Sequence, residues 1–583
     1  DPVALAAGGT LLFIGTWRYL VYIGPAWSPG RTGCPRCLLT RTVNSPFGPD
    51  RSGAHRPPSS PREAGAIAAG PGMLRQIELY ARAAQAVAAA DLTGSVLVMD
   101  ASTGKLERQP LLPDSTCPVC ALPGTDTLPA FTAPQVPLTK LAPATLRTAR
   151  PDAEALRREY LFAGIGLFKQ LRQDLQSPFG ACSVELPSRW GAREPAIGRA
   201  PNYRDSRTIA VLEGLERYAG LHRGARVAAV RAPYAEVAAR AVYPPALGTH
   251  PEESYRCEGF RYRPFHPDTE IDWVWAYSYR RRDRVLLPER AAYWGPRHDG
   301  EISFYHDTSN GCALGSSPEE AILHGLREVA ERDSFLLTWY RRLALPEVIM
   351  DGDGCGRVAE LLRRARLFTG FEFRCFLSTM EYGMPSVWLT AENTRSRGPA
   401  VFAGSGAHPD PVQAVAGGLY ELVGIILATR HGFEQRRAEA LRMLDDPRLI
   451  RRMPDHSLVG ALPQARARFS FLLDAEHERI PLGQVPSTVR TGEADLRADL
   501  DAAIGGMLDA GLDVLAVDQT TSELRRNGLH CVRVVVPGLA PMTFGHLNRR
   551  TRNLPRLTEG TSLPYRDQLE PGEEVGCTPH PFP

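Results

Sequence analysis

The feature that most restricts this chain is a short charged motif that occurs twice inside apolar segments. The pattern Glu-x-x-Glu-Arg stands at residues 213–217 and again at residues 328–332, with flanks rich in Leu, Val, Ala and Ile. Residues three and four apart share one face of a helix, so each copy predicts a helix with two carboxylates and one arginine on one side. A solvated salt-bridge face is the ordinary interpretation, but the apolar flanks and the duplication argue against it.

Two such helices packed together would bring four carboxylates into one place. Carboxylate oxygens suit divalent cations bound to phosphate, and arginines can clamp phosphate oxygens with two hydrogen bonds. The residues concerned are Glu213, Glu216 and Arg217 in the first copy, and Glu328, Glu331 and Arg332 in the second.

The start of the second helix is also marked. Ser317 precedes Pro318, a favoured first helical residue, and Glu320 stands three residues after the serine. This arrangement predicts a capping box closed by Glu320. A functional role for Glu320 is also open, because it shares a helix face with Glu331, about three turns later. Upstream, the Asn-Gly pair that begins at Asn310 by itself predicts a tight turn.

Lysine is almost absent from the chain. It occurs only at Lys105, Lys140 and Lys169, so arginine supplies nearly all of the 68 basic residues. P-loop enzymes, protein kinases and Schiff-base enzymes each need a specifically placed lysine, and three scattered lysines argue against these classes. If the protein uses ATP, arginines and metal-bridging carboxylates must hold the phosphates. The net charge of +3 argues against a dedicated nucleic-acid-binding protein.

Two C-P-x-C pairs predict a metal site in the N-terminal part. The pairs are Cys34 with Cys37 and Cys117 with Cys120. Two-residue spacing directs both sulfurs of a pair at one ion, and two pairs complete the tetrahedral shell of a structural Zn²⁺. Two unrelated turns or a redox dithiol are the alternatives, but a redox motif occurs singly.

The remaining cysteines bear on the compartment. Eleven cysteines spread over 583 residues are an odd number and thinly placed, which argues against a disulfide scaffold. No signal peptide is visible, so we expect a reducing, cytoplasmic location.

Turn-forming and apolar residues divide the chain into three predicted regions. Residues 1–120 form an N-terminal α/β domain with the zinc site, residues 121–152 a linker rich in Pro and Thr, and residues 153–583 a large α/β (α+β) domain. Inside the first region we predict strands at 10–16, 19–23 and 95–99, a flexible insertion at 44–72 and a helix at 73–90.

The chain opens on an apolar stretch that raises the question of a membrane span. Arg18 interrupts the stretch and Pro25 ends it, so two buried strands are the better interpretation and no membrane segment is expected. Because the chain starts abruptly on these strands, we expect that a further N-terminal portion precedes residue 1.

Three segments, in order, resemble the signature of the YcaO enzymes. They run 210–218 (AVLEGLERY), 309–315 (SNGCALG) and 318–333 (PEEAILHGLREVAERD). The resemblance covers about residues 153–583. It implies that a Cys, Ser or Thr side chain of a ribosomal precursor peptide attacks the preceding backbone carbonyl. The oxygen of that carbonyl then takes the γ-phosphoryl group of ATP, and loss of phosphate leaves a thiazoline or oxazoline ring.

The resemblance also implies roles for single residues. Mg²⁺ ligands are expected at Glu213, Glu216, Glu328 and Glu331, and nucleotide contacts at Asn310, Glu320, Arg217 and Arg332. Many members have serine four residues before the first glutamate, where this chain has Ile209, and Ser206 or Thr208 are the candidates to replace it.

Both ends of the chain extend the resemblance. The cysteine pairs resemble the zinc-bearing ubiquitin-activating-enzyme-like domain that is fused to YcaO in thiazole/oxazole-modified microcin and bacteriocin biosynthesis. Pro579, Pro581 and Pro583 match the P-x-P-x-P terminus of azoline-forming members and are expected to serve catalysis. Alternating prolines keep a tail extended with little entropy left to lose, so such a tail can be inserted into a site.

Partners follow from the same resemblance. We expect a ribosomal precursor peptide as substrate, a leader-binding subunit or segment in place of an unrecognised winged helix, an FMN-dependent dehydrogenase, and a homodimer. Two alternatives stay open: a YcaO enzyme that forms thioamides or amidines, and a non-catalytic scaffold that binds a leader peptide. The P-x-P-x-P end argues against the first, and the intact carboxylate motifs argue against the second.

Overall fold

The structure, a computed structural model, describes most but not all of the chain. The described residues are 11–17, 20–43, 92–100, 103–121, 136–186, 194–295, 303–350, 355–395, 397–486, 494–560, 563–569 and 573–582. The predicted insertion at 44–72, the predicted helix at 73–90 and Pro583 lie outside these residues, as do Thr10 and the linker residues 122–135.

Helices separate runs of one to three strands along the described chain. In chain order they are β1 (Leu11–Trp17), β2 (Leu20–Trp27), β3 (Ser95–Asp100), β4 (Leu106–Pro110), β5 (Leu171–Asp174), β6 (Gly180–Glu185), β7 (Pro195–Ala200), β8 (Val230–Pro233), β9 (Glu270–Ser278), β10 (Asp283–Pro288), β11 (Cys312–Gly315), β12 (Glu347–Ile349), β13 (Phe371–Leu377), β14 (Ser386–Asn393), β15 (Val401–Ala407), β16 (Arg479–Pro481), β17 (Leu515–Asp518) and β18 (His530–Val535).

The helices of eight residues or more carry the site and much of the core. They are α1 (Pro35–Val43), α2 (Ala153–Tyr160), α3 (Tyr203–Gly220), α4 (Pro318–Arg341), α5 (Gly356–Thr369), α6 (Pro411–Arg430), α7 (Phe433–Asp445), α8 (Met453–Gly460) and α9 (Leu496–Asp509). Shorter helices lie at Tyr234–Val237, Glu252–Arg256, Glu289–Ala292, Ser470–Leu473, Ser522–Arg525 and Pro555–Thr558. Turns of 3₁₀ helix lie at Ala238–Arg240, Pro244–Leu247, Pro447–Leu449, Pro463–Phe469, Leu482–Gln484 and His546–Asn548.

Four sheets organise the described strands. Their orders are β1-β2-β3-β4, then β5-β6-β7, then β10-β9-β17-β18-β11 with β8 beside β9, and β15-β14-β13-β12-β16. Among the strand pairs that the structure describes, β12 and β16 run parallel and the others run antiparallel. The predicted mixed α/β (α+β) class is confirmed, and the antiparallel pairing places it on the α+β side.

Three helices bring the predicted site together. Helix α3 packs on β6 and β7, α4 lies between the sheet of β11 and β18 and the sheet of β15, and α6 covers β15. Helix α4 is held on several sides because its apolar residues, among them Leu323, Leu326 and Phe335, are fully buried in the largest core cluster. Both Glu-x-x-Glu-Arg motifs therefore lie on helices, as the spacing predicts.

Helix α6 is long and apolar enough to cross a membrane by length and composition, with a mean hydropathy of 1.6. It packs against β15 and β14 and carries Glu421 on the side that faces α4. More than half of the apolar window is buried inside the protein, as in the core helix of a folded domain. The apolar stretch at the start of the chain forms β1 and β2, as predicted, although β1 is an edge strand and Ile14 is 40% exposed.

The second half of the predicted linker is packed on the body of the protein. Lys140 forms an ion pair of 2.7 Å with Asp499 of α9, and both side chains are almost fully buried. The backbone amide of Leu138 donates to the Asp495 carboxylate at 2.8 Å. A buried ion pair must be satisfied in place, so residues 136–150 do not behave as the flexible spacer that their Pro and Thr content predicts.

The four cysteines of the two C-P-x-C pairs meet beside α1. Their sulfur atoms all lie within 4.8 Å of one another, with Cys34 and Cys117 at 3.5 Å and Cys37 and Cys120 at 3.4 Å. In a tetrahedral site with Zn–S bonds of about 2.3 Å the sulfurs stand about 3.8 Å apart, so donor type and spacing both fit zinc. Four thiolates leave no open position, and such an ion would stabilise the fold.

Zinc content and stability can be tested together. Cys117→Ser removes one ligand, and because metal binding contributes directly to folding, the variant should retain less zinc and melt at a lower temperature. Cys577→Ser, at an exposed cysteine outside the cluster, is the matched control and should change neither quantity. Metal analysis of the pure, folded wild-type protein that finds no zinc would contradict the assignment.

Candidate nucleotide and metal site

A cavity of about 680 Å³ opens where α3, α4 and α6 converge. Most of the residues predicted for the site line it: Glu213, Glu216, Arg217, Asn310, Glu328, Glu331 and Arg332. The two motifs are separated by more than a hundred residues in the chain. Because α3 and α4 both pack on β11 and β18, the two motifs line one space.

The first motif is held in place by β7 and the residues before it. Glu213 accepts a hydrogen bond from the amide of Ile197 at 3.2 Å and forms an ion pair of 2.9 Å with Arg217. The Arg217 guanidinium also donates to the Glu194 carboxylate and to the Pro195 carbonyl, each at 2.7 Å. Glu216, between these two residues, lies at the cavity wall with neighbouring carboxylates around it.

The second motif is anchored by β15 and by the turn before β11. Glu331 accepts hydrogen bonds from the Ser405 hydroxyl at 2.9 Å and from the Ala407 amide at 3.2 Å. Glu328 accepts from the Gly311 amide at 3.3 Å, and Gly311 has a positive φ of 84°, which glycine adopts at low cost. The predicted turn at Asn310 thus aims a backbone donor at a motif carboxylate.

Arginine charges offset only part of the negative charge of the glutamates at the cavity. Arg332 lies 3.3 Å from Glu331, 4.0 Å from Glu328 and 3.9 Å from Glu421 of α6. Burial raises the pKa of Glu216 well above its ordinary value, and the charges of Glu328 and Glu213 raise it further. Burial raises the pKa of Glu421 to about 7, and the charge of Glu331 adds to that rise.

Crowded carboxylates with raised pKa values are the environment that a bound divalent cation would relieve. Within the described part of the chain, three buried polar atoms of lining residues also have no hydrogen-bond partner: Asn310 Oδ1, His324 Nδ1 and Arg327 Nε. Buried polar atoms are normally satisfied, so this concentration at one cavity fits a polar, charged ligand. The residues present therefore fit both Mg²⁺ and a nucleotide phosphate.

Glu320 has a different place from the one that local sequence predicts. Ser317 caps α4 by accepting from the Glu320 amide at 3.1 Å, but the Glu320 carboxylate does not complete a capping box. Instead it accepts from the amide of Thr148 at 3.1 Å and from the Ser316 hydroxyl, and it lies 3.6 Å from Arg147. The capping-box prediction is therefore wrong, because contacts with the chain segment before α2 replace it.

The contacts of Glu320 with Thr148 and Ser316 lower its pKa and hold it behind the cavity wall. Burial would raise its pKa, but His324, the Ser316 hydroxyl and the Thr148 amide hold it at about 2. Glu320 is fully buried, and the cavity wall is formed by its neighbours Arg147 and His324. Glu320 thus supports two residues that face the ligand space.

Several lining residues were missed by sequence reasoning, namely Arg147, Arg199, His324, Arg327, Glu421 and Arg436. His324 and Arg327 carried a usable signal, because they continue the face of α4 that bears Glu320, Glu328 and Glu331. Glu421 stands out as the one carboxylate in the apolar α6. Arg147 gave no such signal because it lies in a segment with the composition of a linker.

The residue at the family's serine position also lines the cavity. Ile209 faces the ligand space, whereas Ser206 donates to the Cys182 sulfur at 3.1 Å and Thr208 to the Arg204 carbonyl at 3.3 Å. Neither hydroxyl is among the lining residues, so neither replaces the serine at this position.

Residues 579–582, at the C-terminal end of the described chain, are buried. Phe582 lines the cavity, with the Arg332 guanidinium 4.3 Å above its ring and the Phe335 ring 4.9 Å away. His580 stacks on His456 at 4.1 Å, and its carbonyl lies 2.8 Å from His456 Nδ1. Pro579 and Pro581, on either side of His580, are buried as well. The tail thus reaches the same cavity as the motif carboxylates.

Comparison with known proteins agrees with this geometry. A family model described as YcaO cyclodehydratase, ATP- and Mg²⁺-binding, matches residues 197–540. An uncharacterised protein of Methanothermobacter thermautotrophicus is 28% identical over 361 residues, which are 60% of this chain and 82% of that protein. An uncharacterised protein in the tfuA 3' region of Rhizobium leguminosarum bv. trifolii is 29% identical over 161 residues, 25% of this chain and 36% of that protein.

Two solved structures share the fold. A heterocyclase in complex with substrate and cofactor has a TM-score of 0.72 at 21% identity, over 100% of this chain and 78% of that chain. The heterocyclase TruD has a TM-score of 0.65 at 20% identity, over 100% of this chain and 76% of that chain. The family match covers more than half of the chain and includes both carboxylate motifs. The chain therefore belongs to the YcaO cyclodehydratase family, whose members bind ATP and Mg²⁺.

Proposed function

We propose that this enzyme uses ATP to convert Cys, Ser or Thr residues of a ribosomal precursor peptide into thiazoline or oxazoline rings. The observation that carries the proposal is the single cavity that holds both carboxylate motifs, both motif arginines and Phe582 of the tail. Two proteins of the same fold are named heterocyclases, and one of them is described as a complex with substrate and cofactor.

The chemistry follows the order that the family resemblance implies. The side-chain nucleophile attacks the carbonyl carbon of the preceding residue, and that carbonyl oxygen takes the γ-phosphoryl group of ATP. Phosphate then leaves with this oxygen, so the peptide loses one water overall and ATP becomes ADP and phosphate. Phosphoryl transfer of this kind depends mainly on positioning and charge neutralisation.

The residues of the cavity would divide this work. Glu213, Glu216, Glu328 and Glu331 would hold Mg²⁺, which when bound neutralises phosphate charge. Arg217 and Arg332 would bind phosphate oxygens. Asn310, together with Arg147 and His324, which the sequence did not predict, would surround the rest of the nucleotide. We assign Glu320 a supporting place behind Arg147 and His324.

The tail would complete the peptide side of the cavity. Pro579 and Pro581 hold the backbone extended, and Phe582 places the end of the tail beside Arg332. We propose that these prolines, together with Pro583, position the reacting amide or a proton.

Domain roles and partners complete the proposal. Residues 1–120 would be a zinc-bearing ubiquitin-activating-enzyme-like domain and residues 153–583 the catalytic YcaO domain. A cytoplasmic location, a separate leader-binding subunit, an FMN-dependent dehydrogenase that oxidises the rings, and a homodimer belong to the same proposal.

Charge removal at the motifs tests the metal and nucleotide assignment. Glu216→Gln or Glu328→Gln keeps the shape of the side chain but removes a negative charge at the cavity wall. Loss of electrostatic stabilisation of this kind costs on the order of 10²–10³ in rate, so peptide-dependent ATP hydrolysis should fall by that factor. The protein should stay folded, because a neutral amide replaces a carboxylate whose pKa is already raised.

Glu360→Gln is the matched control for these variants. Glu360 lies on the exposed side of α5 and pairs with Arg363 at 2.9 Å, as the motif glutamates pair within their own helices. Its loss should leave ATP hydrolysis unchanged. Wild-type hydrolysis rates in both motif variants would show that the carboxylates do not serve the reaction.

The product and the tail can be tested in one assay. The wild-type enzyme with ATP, Mg²⁺ and a Cys-containing precursor peptide should yield a product lighter by one water per ring, whereas thioamide formation would replace oxygen by sulfur.

A short Gly-Ser extension after Pro583, or deletion of residues 579–583, should abolish this mass loss. The extended variant should still bind ATP, measured by titration, because the motif residues are untouched. A tail variant that removes water at the wild-type rate would exclude the tail from the reaction.

A further inference from the structure

A buried carboxylate outside the cavity connects two parts of the protein that the sequence presents as separate. Glu523 lies in the short helix Ser522–Arg525 and is fully buried. Its Oε1 accepts hydrogen bonds from Arg41 Nη2 at 3.2 Å, from the Ser115 amide at 2.9 Å and from the Tyr218 hydroxyl at 2.8 Å. One oxygen atom therefore receives donors from the N-terminal region and from α3.

Two of these donors belong to the zinc-binding segments. Arg41 lies on α1, four residues after Cys37, and Ser115 comes two residues before Cys117. The Asp114 amide donates to the Cys37 sulfur at 3.4 Å, and the Asp114 carboxylate lies 3.9 Å from Arg41. The positions of Arg41 and Ser115 thus depend on the arrangement of the four cysteines.

The third donor belongs to the first carboxylate helix. Tyr218 directly follows Arg217 and is two residues after Glu216. The Arg41 guanidinium lies 5.8 Å from the centre of the Tyr218 ring, so the two residues also contact each other. The Glu523 backbone carbonyl accepts from the Tyr160 hydroxyl at 2.7 Å, which fixes the short helix itself.

The Glu523 carboxylate is fully buried, so a charge on it needs partners. Burial would raise the pKa of Glu523, but the Arg41 charge and the bonds from Ser115 and Tyr218 hold it below its ordinary value. Arg41 is buried too and donates to the carbonyls of Leu112 and Pro113. A buried charge that loses one partner is strongly destabilised. Displacement of the N-terminal donors therefore shifts the Glu523 carboxylate and weakens its hydrogen bond with Tyr218.

We propose that Glu523 is a positioning residue that couples zinc binding at the four cysteines to nucleotide binding at α3. The carboxylate joins Arg41 and Ser115 on the zinc side to Tyr218 on the nucleotide side. Loss of zinc releases the first two donors and lets the end of α3 shift, which moves Glu216 and Arg217 relative to the cavity. The inference rests on the proposal that α3 and α4 hold the nucleotide.

The coupling between zinc and Mg²⁺-ATP is reciprocal. When zinc raises the affinity for Mg²⁺-ATP by some factor, Mg²⁺-ATP must raise the affinity for zinc by the same factor, and couplings of this kind commonly amount to roughly 5–150-fold. A role confined to fold stability would lower the melting temperature of a variant and leave this factor unchanged. The coupling factor therefore separates positioning from mere stabilisation.

The experiment uses the full chain and two variants. Tyr218→Phe removes a single hydroxyl from the junction while it keeps the ring, Arg41, Ser115 and all four cysteines. Glu347→Gln is the control, because it breaks a two-point ion pair with Arg374, at 2.8 and 3.1 Å, on strands away from the junction. For each protein, Mg²⁺-ATP is titrated with zinc bound and after a zinc-selective chelator has been applied and removed, and circular dichroism monitors folding.

We expect zinc removal to weaken Mg²⁺-ATP binding to the wild type by roughly tenfold, within the range given for coupled sites. The factor should be retained in Glu347→Gln and should fall towards one in Tyr218→Phe, whose zinc content stays at the wild-type level. An ATP affinity that is the same with and without zinc in the folded wild type would overturn the inference, and so would an unchanged factor in Tyr218→Phe.

A second readout applies if the zinc-free protein does not fold. The zinc affinity is then measured at equilibrium against a competing chromogenic chelator, with and without Mg²⁺-ATP. The nucleotide should raise the zinc affinity of the wild type and of Glu347→Gln but not of Tyr218→Phe, and an equal rise in all three contradicts the coupling. A wild-type protein that binds no ATP under any condition contradicts the proposed function itself, whereas ATP binding that ignores zinc contradicts only this inference.

Discussion

The repulsion among carboxylates at one cavity is the constraint around which the structure is arranged. Glu213 and Glu216 from α3, Glu328 and Glu331 from α4, and Glu421 from α6 face the same space. Glu213, Glu328, Glu331 and Glu421 are each held by a backbone amide, a hydroxyl or an arginine, as the Ala407 amide holds Glu331. Like charges at short range are costly to hold together, so the helices must be anchored from outside the cavity by their sheets.

This anchoring explains why three different sheets contribute to one site. Helix α3 rests on β6 and β7, α4 on β11 and β18, and α6 on β15. A single sheet would offer one face and one direction for its helices, whereas three sheets allow three helices to meet around a point. The favourable free energy from burying the apolar faces of three helices thereby offsets the repulsion among the carboxylates.

The features that the sequence predicted depend on residues close together in the chain, whereas the features that it did not predict depend on contacts between distant residues. The motif helices, the cap at Ser317, the strands β2 and β3 and the pairing of the cysteines follow from periodicity and spacing within a few residues. The bond between Glu320 and the Thr148 amide joins residues 172 positions apart, and no local rule contains it. Arg147 lines the cavity in a segment that is held by the buried Lys140–Asp499 pair and by Glu320. The Pro- and Thr-rich composition of that segment predicts a linker and does not reveal these contacts. Ser206 and Thr208 were the two candidates to replace the family's serine, but their hydroxyls donate to the Cys182 sulfur and to the Arg204 carbonyl.

The order β10-β9-β17-β18-β11 has a consequence for how the chain reaches this state. Strands β17 and β18 sit between β9 and β11, which are made about two hundred residues earlier. Strand β9 can pair with β8 and β10 at once, but its end at Tyr277–Ser278 and the whole of β11 wait for residues 515–535 to leave the ribosome. Exposed strand edges and late, long-range closure slow folding and favour association with other chains. Helix α4 packs on β18 and therefore also lacks its final support until then. Production of this protein in quantity should consequently be limited by chaperone capacity and translation speed more than by the stability of the finished fold.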